Sequence, residues 1–520
     1  MLDQFLNNRF LTLYIIPFIL GSSTVFSFQP FNLTFINFLI LPMFFYLVVH
    51  VNKKSKSIYR KKPHKQNLFI LGTSFGFGFY LCGIHWITHS LTFDKNFIIL
   101  IPFGLILIPL FLSLFISLIT FLFGPHLKLN IGSIMLFSCA IGFSDYLRAK
   151  ILTGFPWNLW AYSFSWATEI LQILNNLGLF AFNLIVITIF LIPSILFFKI
   201  NLNRKLLFFS LIPLILFAFY IYGSHSINKN KKNLNLVDEK FNIKVISPNF
   251  KLEYGLSDKE IKLRLKKLIR YSEPKNSSKT LFIWPEGVFS GYSYKEILIL
   301  KKDFIDNFKQ DQFILFGINR FNNKKNGFYN SLIIINNKME IVQEYHKQKL
   351  VPFGEFLPFE KILNKFGIKK ITEGYGSFLK GDKQNNLILN KLNILPLVCY
   401  EIIFTNKIQS STDQTNLIIN ISEDGWFGNS IGPHQHFAKG IYRAIEQNSF
   451  LVRSANKGIS AIINNKGEII KKLKTTEAGN IELEVPLIRS ENKIKNDLIF
   501  FILLITYIFI FKFYKKNNVK

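Results

Sequence analysis

Three stretches of this chain end an apolar run in groups able to carry out acyl chemistry. "LNILPLVCYEIIF" (392–404) sets Cys399 at the end of a strand-like run and follows it with Tyr400 and Glu401. "FIWPEGVFS" (282–290) ends its apolar part at Glu286, and "EYHKQKLVPFGEFLP" (344–358) supplies Lys347 and Glu355. A thiol works as a nucleophile when a base takes its proton, a cation favours the thiolate, and donors stabilise the oxyanion formed on attack. Glu286 suits the first task. The compact charge of Lys347 suits the other two, with the backbone N–H after Cys399 as a further oxyanion donor. Taken singly these residues have plainer readings: a cysteine at a strand end is more often core filling, a Glu after Pro a turn residue, and a Lys one of many in a lysine-rich chain.

The groups can act together only if strands carry them to one place. Between residues 225 and 490, short β-branched runs such as "FNIKVIS", "QFILFGI", "SLIIIN", "NLIINIS" and "SAIINN" alternate with polar, helix-like stretches such as "SDKEIKLRLKKLIRYS". Strands alternating with helices predict an α/β domain, and in open α/β sheets residues just beyond the carboxyl ends of strands converge.

The rest of the chain is of another kind. Over 520 residues it is 49% hydrophobic and 16% aromatic, with a mean hydropathy of +0.26. That is too apolar for an ordinary soluble protein and too long for one domain. Apolar runs near 10–28, 33–50, 67–88, 97–123, 131–147, 175–199, 206–223 and 498–514 predict about eight membrane spans. The first reads as a span rather than a cleaved leader, since no small-residue cleavage site follows it. The most basic connection, "VNKKSKSIYRKKPHK" (51–65), belongs in the cytoplasm. Alternation from there puts 225–490 on the outer side and the C-terminal tail inside. The expected organisation is therefore a membrane domain over 1–224, the α/β domain over 225–490, and a last span with a basic tail over 491–520. "KNKKNLN" (229–235) reads as a solvated linker.

The formal charge of +30 invites a nucleic-acid reading. Lysine rises together with Ile, Asn and Phe throughout, and no basic stretch carries a nucleic-acid motif, so no nucleic-acid partner is expected. Cys82 and Cys139 lie in apolar segments, which leaves Cys399 without an evident disulfide partner. His434 and His436 lack a third ligand, His85 and His89 at i, i+4 read as interhelical hydrogen bonders, and the glycines of "DGWFGN" read as loop residues. No metal or cofactor is expected.

"WPEG", "YHKQKLVPFGEFLP" and "VCYE", in this order and spacing, resemble the Glu, Lys and Cys motifs of the nitrilase superfamily of carbon-nitrogen hydrolases. The form "KxxLVPFGExxP", the stretch "NISEDGWFGNSIGPHQHFAKGIYRAIEQNSFLVRSANKGISAIINNKGEI" (420–469) and "DYLRAKILTGFPWNLWAYS" (145–163) are similar to one membrane-bound branch, the apolipoprotein N-acyltransferases. The resemblance implies an extracytoplasmic αββα sandwich inserted between spans seven and eight. It implies a triad of Glu286, Lys347 and Cys399 supported by Glu355, Tyr400 and Glu401. The spacing of the pattern selects Lys347, two residues after Tyr345 and eight before Glu355, over Lys349. The implied reaction moves a fatty acyl chain from a membrane phospholipid, through a Cys399 thioester, to the α-amino group of a diacylglyceryl-cysteine that begins an apolipoprotein. The implied setting is the bacterial cytoplasmic (inner) membrane, with the site on its periplasmic side and the chain acting as a monomer in the lipid bilayer. Phe155, Trp157 and Trp160 are then expected as interfacial anchors. "SPNF" (247–250) departs from the family's Gln-rich loop, and Tyr254 stands near the place of a family tryptophan. Two other readings remain open at this point: a membrane-tethered amidase or hydrolase, and a non-catalytic membrane scaffold or transporter.

Overall fold

The computed structural model describes residues 6–55, 63–253, 255–276, 278–358, 360, 376–383, 386–405, 415–488 and 497–517; Tyr254 lies outside them. The chain forms two compact units, Met1–Ser226 with Lys495–Lys520, and Ile227–Ile494.

The first unit is helical. Among the described residues six helices are long and apolar enough to cross a membrane: Thr34–Lys54, Pro63–Thr92, Lys95–His126, Leu179–Phe197, Leu202–Asn235 and Leu498–Lys515. The other two expected segments are also helical. Residues 10–28 hold the short pieces Leu11–Ile15, Ile16–Ser23 and Thr24–Ser27, while 131–147 lies in Ile131–Lys150. That last helix carries Asp145 and Arg148, which pair at 2.8 Å with their side chains almost wholly buried. Helices Pro63–Ile84 and Ile101–Phe123 approach closely through small residues, since a Cβ at Gly76 would lie 2.8 Å from Ser113 Cβ. The Thr120 hydroxyl crosses the same seam and donates to the Leu68 carbonyl at 2.8 Å.

Three expectations are corrected here. His85–Thr92 is a 3-10 helix of three residues per turn, so His85 and His89 do not share a face; His85 Nδ1 instead lies 3.1 Å from the Cys82 carbonyl of its own segment. Trp157 and Trp160 are not surface anchors, being only 1% and 3% exposed. They pack against Trp86 and Phe79 at ring separations of 4.5 and 5.4 Å. The stretch 229–235 is the end of helix Leu202–Asn235 and not a loop, with Asn230 buried and its amide exchanging hydrogen bonds with Asn465 at 2.8 Å.

The second unit holds, among its described residues, two six-stranded sheets. The strands are β1 (Lys240–Ser247), β2 (Thr280–Ile283), β3 (Phe313–Asn322), β4 (Gly327–Ile335), β5 (Ile341–His346), β6 (Leu387–Leu389), β7 (Leu392–Val398), β8 (Leu417–Glu423), β9 (Phe450–Asn456), β10 (Ser460–Ile463), β11 (Ile469–Leu473) and β12 (Gly479–Pro486). Their orders are β12-β1-β2-β3-β4-β5 and β11-β10-β9-β8-β7-β6. Each sheet has three parallel strands at its centre, β1-β2-β3 and β7-β8-β9, and antiparallel strands outside them. The central strands are buried on both faces, which accounts for continuous apolar runs such as "TLFI" and "LIINIS" in place of alternation.

One core joins the facing sheets through residues such as Ile243, Val245, Ile283, Ile419 and Val452. A second lies under the helix Asp258–Ser272, whose Ile261, Leu265 and Leu268 recur at helical spacing and pack with Phe282, Trp284 and Phe316. That helix starts at a capping box, in which Ser257 Oγ accepts from Glu260 N and Glu260 Oε2 accepts from Ser257 N. Helix Gly432–Gln447 covers the second sheet, where Gly440 lies beside Leu451 and Ile463. The layers are helix, sheet, sheet, helix.

Candidate active site

The parallel strands β2, β7 and β8 end together, and Glu286, Cys399 and Glu423 follow or close them. Past β2 the Trp284 amide continues the ladder by donating to the Leu315 carbonyl at 2.8 Å, and its buried indole donates to Ser272 Oγ at 3.0 Å. This anchors the peptide that presents Glu286. Gly317 of β3 leaves it room, because a Cβ there would lie 3.0 Å from Glu286 Cα. Beyond β5, the Lys347 amide donates to the Asn330 carbonyl at 2.9 Å, so the pairing with β4 fixes where Lys347 stands.

The side chains form one buried network. Lys347, 1% exposed, donates to Glu355 Oε1 at 2.8 Å and stands 3.7 Å from Glu286 Oε1. Asn330 Nδ2 lies 2.7 Å from both Glu286 Oε1 and Glu355 Oε1 and bridges the two carboxylates. Glu355 Oε2 also accepts from the Val351 amide at 2.8 Å, so Glu355 orients the lysine from a fixed loop. Burial works against the charge of Lys347, but Glu355 and then Glu286 outweigh it and hold the ammonium well above its ordinary range.

Cys399 sits where β7 turns into the 3-10 segment Cys399–Ile403, with φ of +48°. That left-handed conformation is strained for a residue with a Cβ, and it makes the sharp elbow between strand and turn. Burial pushes the thiol well up, Glu286 adds to this, and Lys347 offsets only part of it. The resting sulfur is therefore a thiol, and the lysine alone does not make it a thiolate.

Glu401 ties the elbow to the lysine segment. Its carboxylate accepts from the Val398 amide at 3.0 Å, from the Gln348 and Lys349 amides at 2.9 and 3.0 Å, and from the Tyr345 hydroxyl at 2.8 Å. Burial followed by Glu401 raises the Tyr345 phenol well above its usual range, which keeps it a donor. Tyr400 is half-buried beside Phe404, 5.1 Å between rings, and burial raises its phenol too.

Behind the thiol, Ser422 Oγ donates to Asp424 Oδ1 at 2.7 Å, and Asp424 is held by Arg453 at 2.7 Å and His436 at 3.0 Å. Burial opposes the Asp424 charge, but Arg453 and then His436 overcome it and hold the carboxyl well below its usual range. His434 is two residues from His436 on the same helix and so faces elsewhere. Among the described residues no cluster of three or more His, Cys, Asp or Glu is arranged to hold a metal ion.

The structure thus brings all six sequence-selected residues to the ends of these strands. It adds Asn330, Ser422, Asp424 and the Glu423 amide, which donates to Glu286 Oε2 at 3.1 Å. Asn330 left one trace in the sequence, standing with Ser331 as a polar pair ahead of the apolar "LIII".

The segment after Glu355 closes against the lysine, with the Phe378 amide donating to the Glu355 carbonyl at 2.8 Å and the Gly381 amide to the Lys347 carbonyl at 2.9 Å. A Cβ at Gly381 would lie 2.2 Å from the His346 carbonyl oxygen, a backbone atom with little room to yield. Gly381→Ala is expected to displace the Lys347 backbone and slow turnover at this site by about 10- to 100-fold, the scale of a 1 Å misplacement. Circular dichroism should stay unchanged, and an unaltered rate would show that this contact does not position the lysine.

The sequence profile of the apolipoprotein N-acyltransferase N-terminal domain matches residues 20–192, and that of carbon-nitrogen hydrolases matches 266–492. An apolipoprotein N-acyltransferase of Rickettsia prowazekii is 32% identical over 454 residues, 86% of this chain and 88% of the relative. One from Rickettsia typhi is 32% identical over 437 residues, covering 82% and 85%. A third, from Rhizobium leguminosarum bv. trifolii, is 30% identical over 432 residues and covers 80% of each. Together with the apolar helices, these matches make the protein a multi-pass membrane acyltransferase, and the chain belongs to the apolipoprotein N-acyltransferase family.

Proposed function

We propose that this protein N-acylates lipoproteins by a two-step transfer through Cys399. The observation that carries the reading is the single buried network of Glu286, Asn330, Glu355 and Lys347 at the strand ends where Cys399 stands. In the first step Glu286 takes the thiol proton and the sulfur attacks the ester carbonyl of a membrane phospholipid. Lys347 and the Tyr400 amide stabilise the oxyanion. The carbon–oxygen bond breaks, the Glu286 proton passes to the departing lysophospholipid oxygen, and a thioester remains. In the second step the α-amino group of a diacylglyceryl-cysteine attacks the thioester and gives its proton to Glu286. The carbon–sulfur bond breaks, the thiolate recovers the proton, and the product is an amide.

The first proton transfer leaves the net charge around the lysine unchanged. Moving the proton from sulfur to Glu286 shifts one negative charge between two groups that both interact with Lys347, so the ammonium faces about the same charge before and after. Glu355, Tyr400 and Glu401 support the triad by fixing the lysine and the elbow.

The proposed setting follows from the substrates. A fatty chain drawn into water costs on the order of 0.8 kcal/mol per CH₂, so both lipids are best met at a bilayer. The reading places eight spans in the bacterial cytoplasmic membrane, a membrane domain over 1–224 and a last span over 491–520. The catalytic domain, 225–490, is then on the periplasmic side.

The test is incubation of the purified protein with phospholipid and no acceptor, followed by intact and peptide mass spectrometry. A hydroxylamine-labile fatty acyl adduct on the Cys399 peptide is expected. Phospholipid consumed without an adduct would point to water as acceptor, and no consumption at all would defeat the reading.

A further inference from the structure

Helices Pro63–Ile84 and Ile101–Phe123 meet through small residues and part beside them. The Thr73 and Ser117 hydroxyls lie 2.8 Å apart, and a Cβ at Gly72 would lie 2.1 Å from Thr120 Oγ1, so the helices have no room for larger groups there. Next to this seam the side chains leave a groove of about 390 Å³, lined by Gln66, Phe69 and Ile70 from one helix and Leu118 and Phe121 from the other. Spacings of three and four residues put each set on one face of its helix. The rings of Phe69 and Phe121 meet edge to face at 6.3 Å. Leu114, Leu118 and Leu122 are exposed, so this side of the second helix is turned outward.

A cation stands at the edge of this apolar groove. Lys65 Nζ lies 5.3 Å from the centre of the Phe121 ring. Among the described residues, the ion pairs of the helical unit are Asp145–Arg148 and Lys150–Asp497, and Lys65 belongs to neither. The cations nearby meet neutral side chains: Arg9 donates to Asn67 Oδ1 at 3.0 Å, Lys54 donates to the Asn7 side chain, and Asn67 in turn donates to Ser55 Oγ at 2.8 Å. The two connections that share this end, 51–65 and 124–130, contain no Asp or Glu. This end of the helix pair is therefore positive, and no carboxylate of either connection offsets it.

An apolar hollow on the outer face of a membrane helix pair is filled by hydrocarbon. Water would find no polar partners along its walls, and a void would forfeit the dispersion contacts of every side chain that lines it. The positive mouth then selects among lipids, because a basic site between spans favours an acidic head group. We infer that this groove binds one anionic phospholipid, with an acyl chain along Phe69, Ile70, Leu118 and Phe121 and its phosphate at Lys65 and Gln66. In the proposed orientation the connection 51–65 is cytoplasmic, so the ligand is a lipid of the cytoplasmic leaflet. It bridges the two helices where their direct contact ends. The inference does not depend on the chemistry at Cys399.

The experiment titrates the full-length protein in maltoside micelles with ether-linked phosphatidylglycerol and, separately, with ether-linked phosphatidylcholine, and counts bound lipids by native mass spectrometry. Ether linkages offer Cys399 no ester to attack, so turnover does not disturb the count. One phosphatidylglycerol is expected to bind about fivefold more tightly than phosphatidylcholine, the effect of one cation near an acidic head group. Lys65→Gln should abolish that preference. Leu118→Trp, which fills the groove from an exposed position, should weaken both lipids by about tenfold. Lys205→Gln removes a cation from another helix, where Lys205 donates to the Leu196 carbonyl at 3.0 Å, and should leave both affinities unchanged. Equal affinity of the wild type for the two lipids, or wild-type binding by Lys65→Gln or Leu118→Trp, overturns the inference. A loss in Lys205→Gln as large as in Lys65→Gln also overturns it, since the attraction would then be diffuse charge and not a site.

Discussion

Cys399→Ala forms no acyl adduct, and its turnover falls by about 10⁴-fold or more, the scale on which nucleophile deletions act. No second group in the network can replace the sulfur. Glu286, Glu355 and Lys347 are already committed to one another and to Asn330, and the Ser422 hydroxyl donates to Asp424. The change should leave the fold in place. Cys399 holds φ of +48°, which strains Ala as much as Cys, and removing one buried sulfur costs about 1 kcal/mol. Peptide mass spectrometry after exposure to phospholipid, with a Tm within a few degrees of wild type, checks the prediction. An adduct that persists elsewhere on the folded variant would remove Cys399 from the proposed role.

The elbow at Cys399 was legible because the apolar run "LNILPLVC" gives way at once to Tyr400 and Glu401, and "FIWP" gives way to Glu286 in the same manner. Asn330 was not, because its importance comes from register. Only the pairing of β4 with β5, in which Ser331 meets His346, brings Asn330 to the amide of Lys347 and between the two carboxylates. Glu423 was hidden for a related reason: a Glu before "DGWFG" reads as a loop residue until β8 is known to end beside Glu286. In the helical unit, composition misled where burial decides. Trp157 and Trp160 have the residue type of interfacial anchors, yet the loop that carries them turns inward, with the Ala161 amide donating to the buried Asn183 side chain at 2.9 Å. In the second unit, the polar 229–235 stretch looked like a solvated linker; most of it is exposed, yet it forms the end of helix Leu202–Asn235, with Asn230 buried.

Replacing Lys347 should have an effect of comparable size and a different signature. In Lys347→Met the side chain still fills its buried slot, but Glu286 and Glu355 remain bridged by one amide with no cation between them. Breaking a buried pair by removing one partner costs about 3–5 kcal/mol, since the remaining charge is uncompensated. Loss of the oxyanion donor should slow acylation by about 100- to 1000-fold. Glu286, left facing Glu355 without the ammonium, is displaced as a base, which slows acylation further. The double variant Lys347→Met with Glu355→Gln separates the two roles. It removes the second carboxylate, so most of the lost Tm should return, while acylation should stay slow because no cation faces the oxyanion. Melting curves beside single-turnover acylation rates measure both, and recovery of activity along with stability would mean that the lysine acts only by holding the fold.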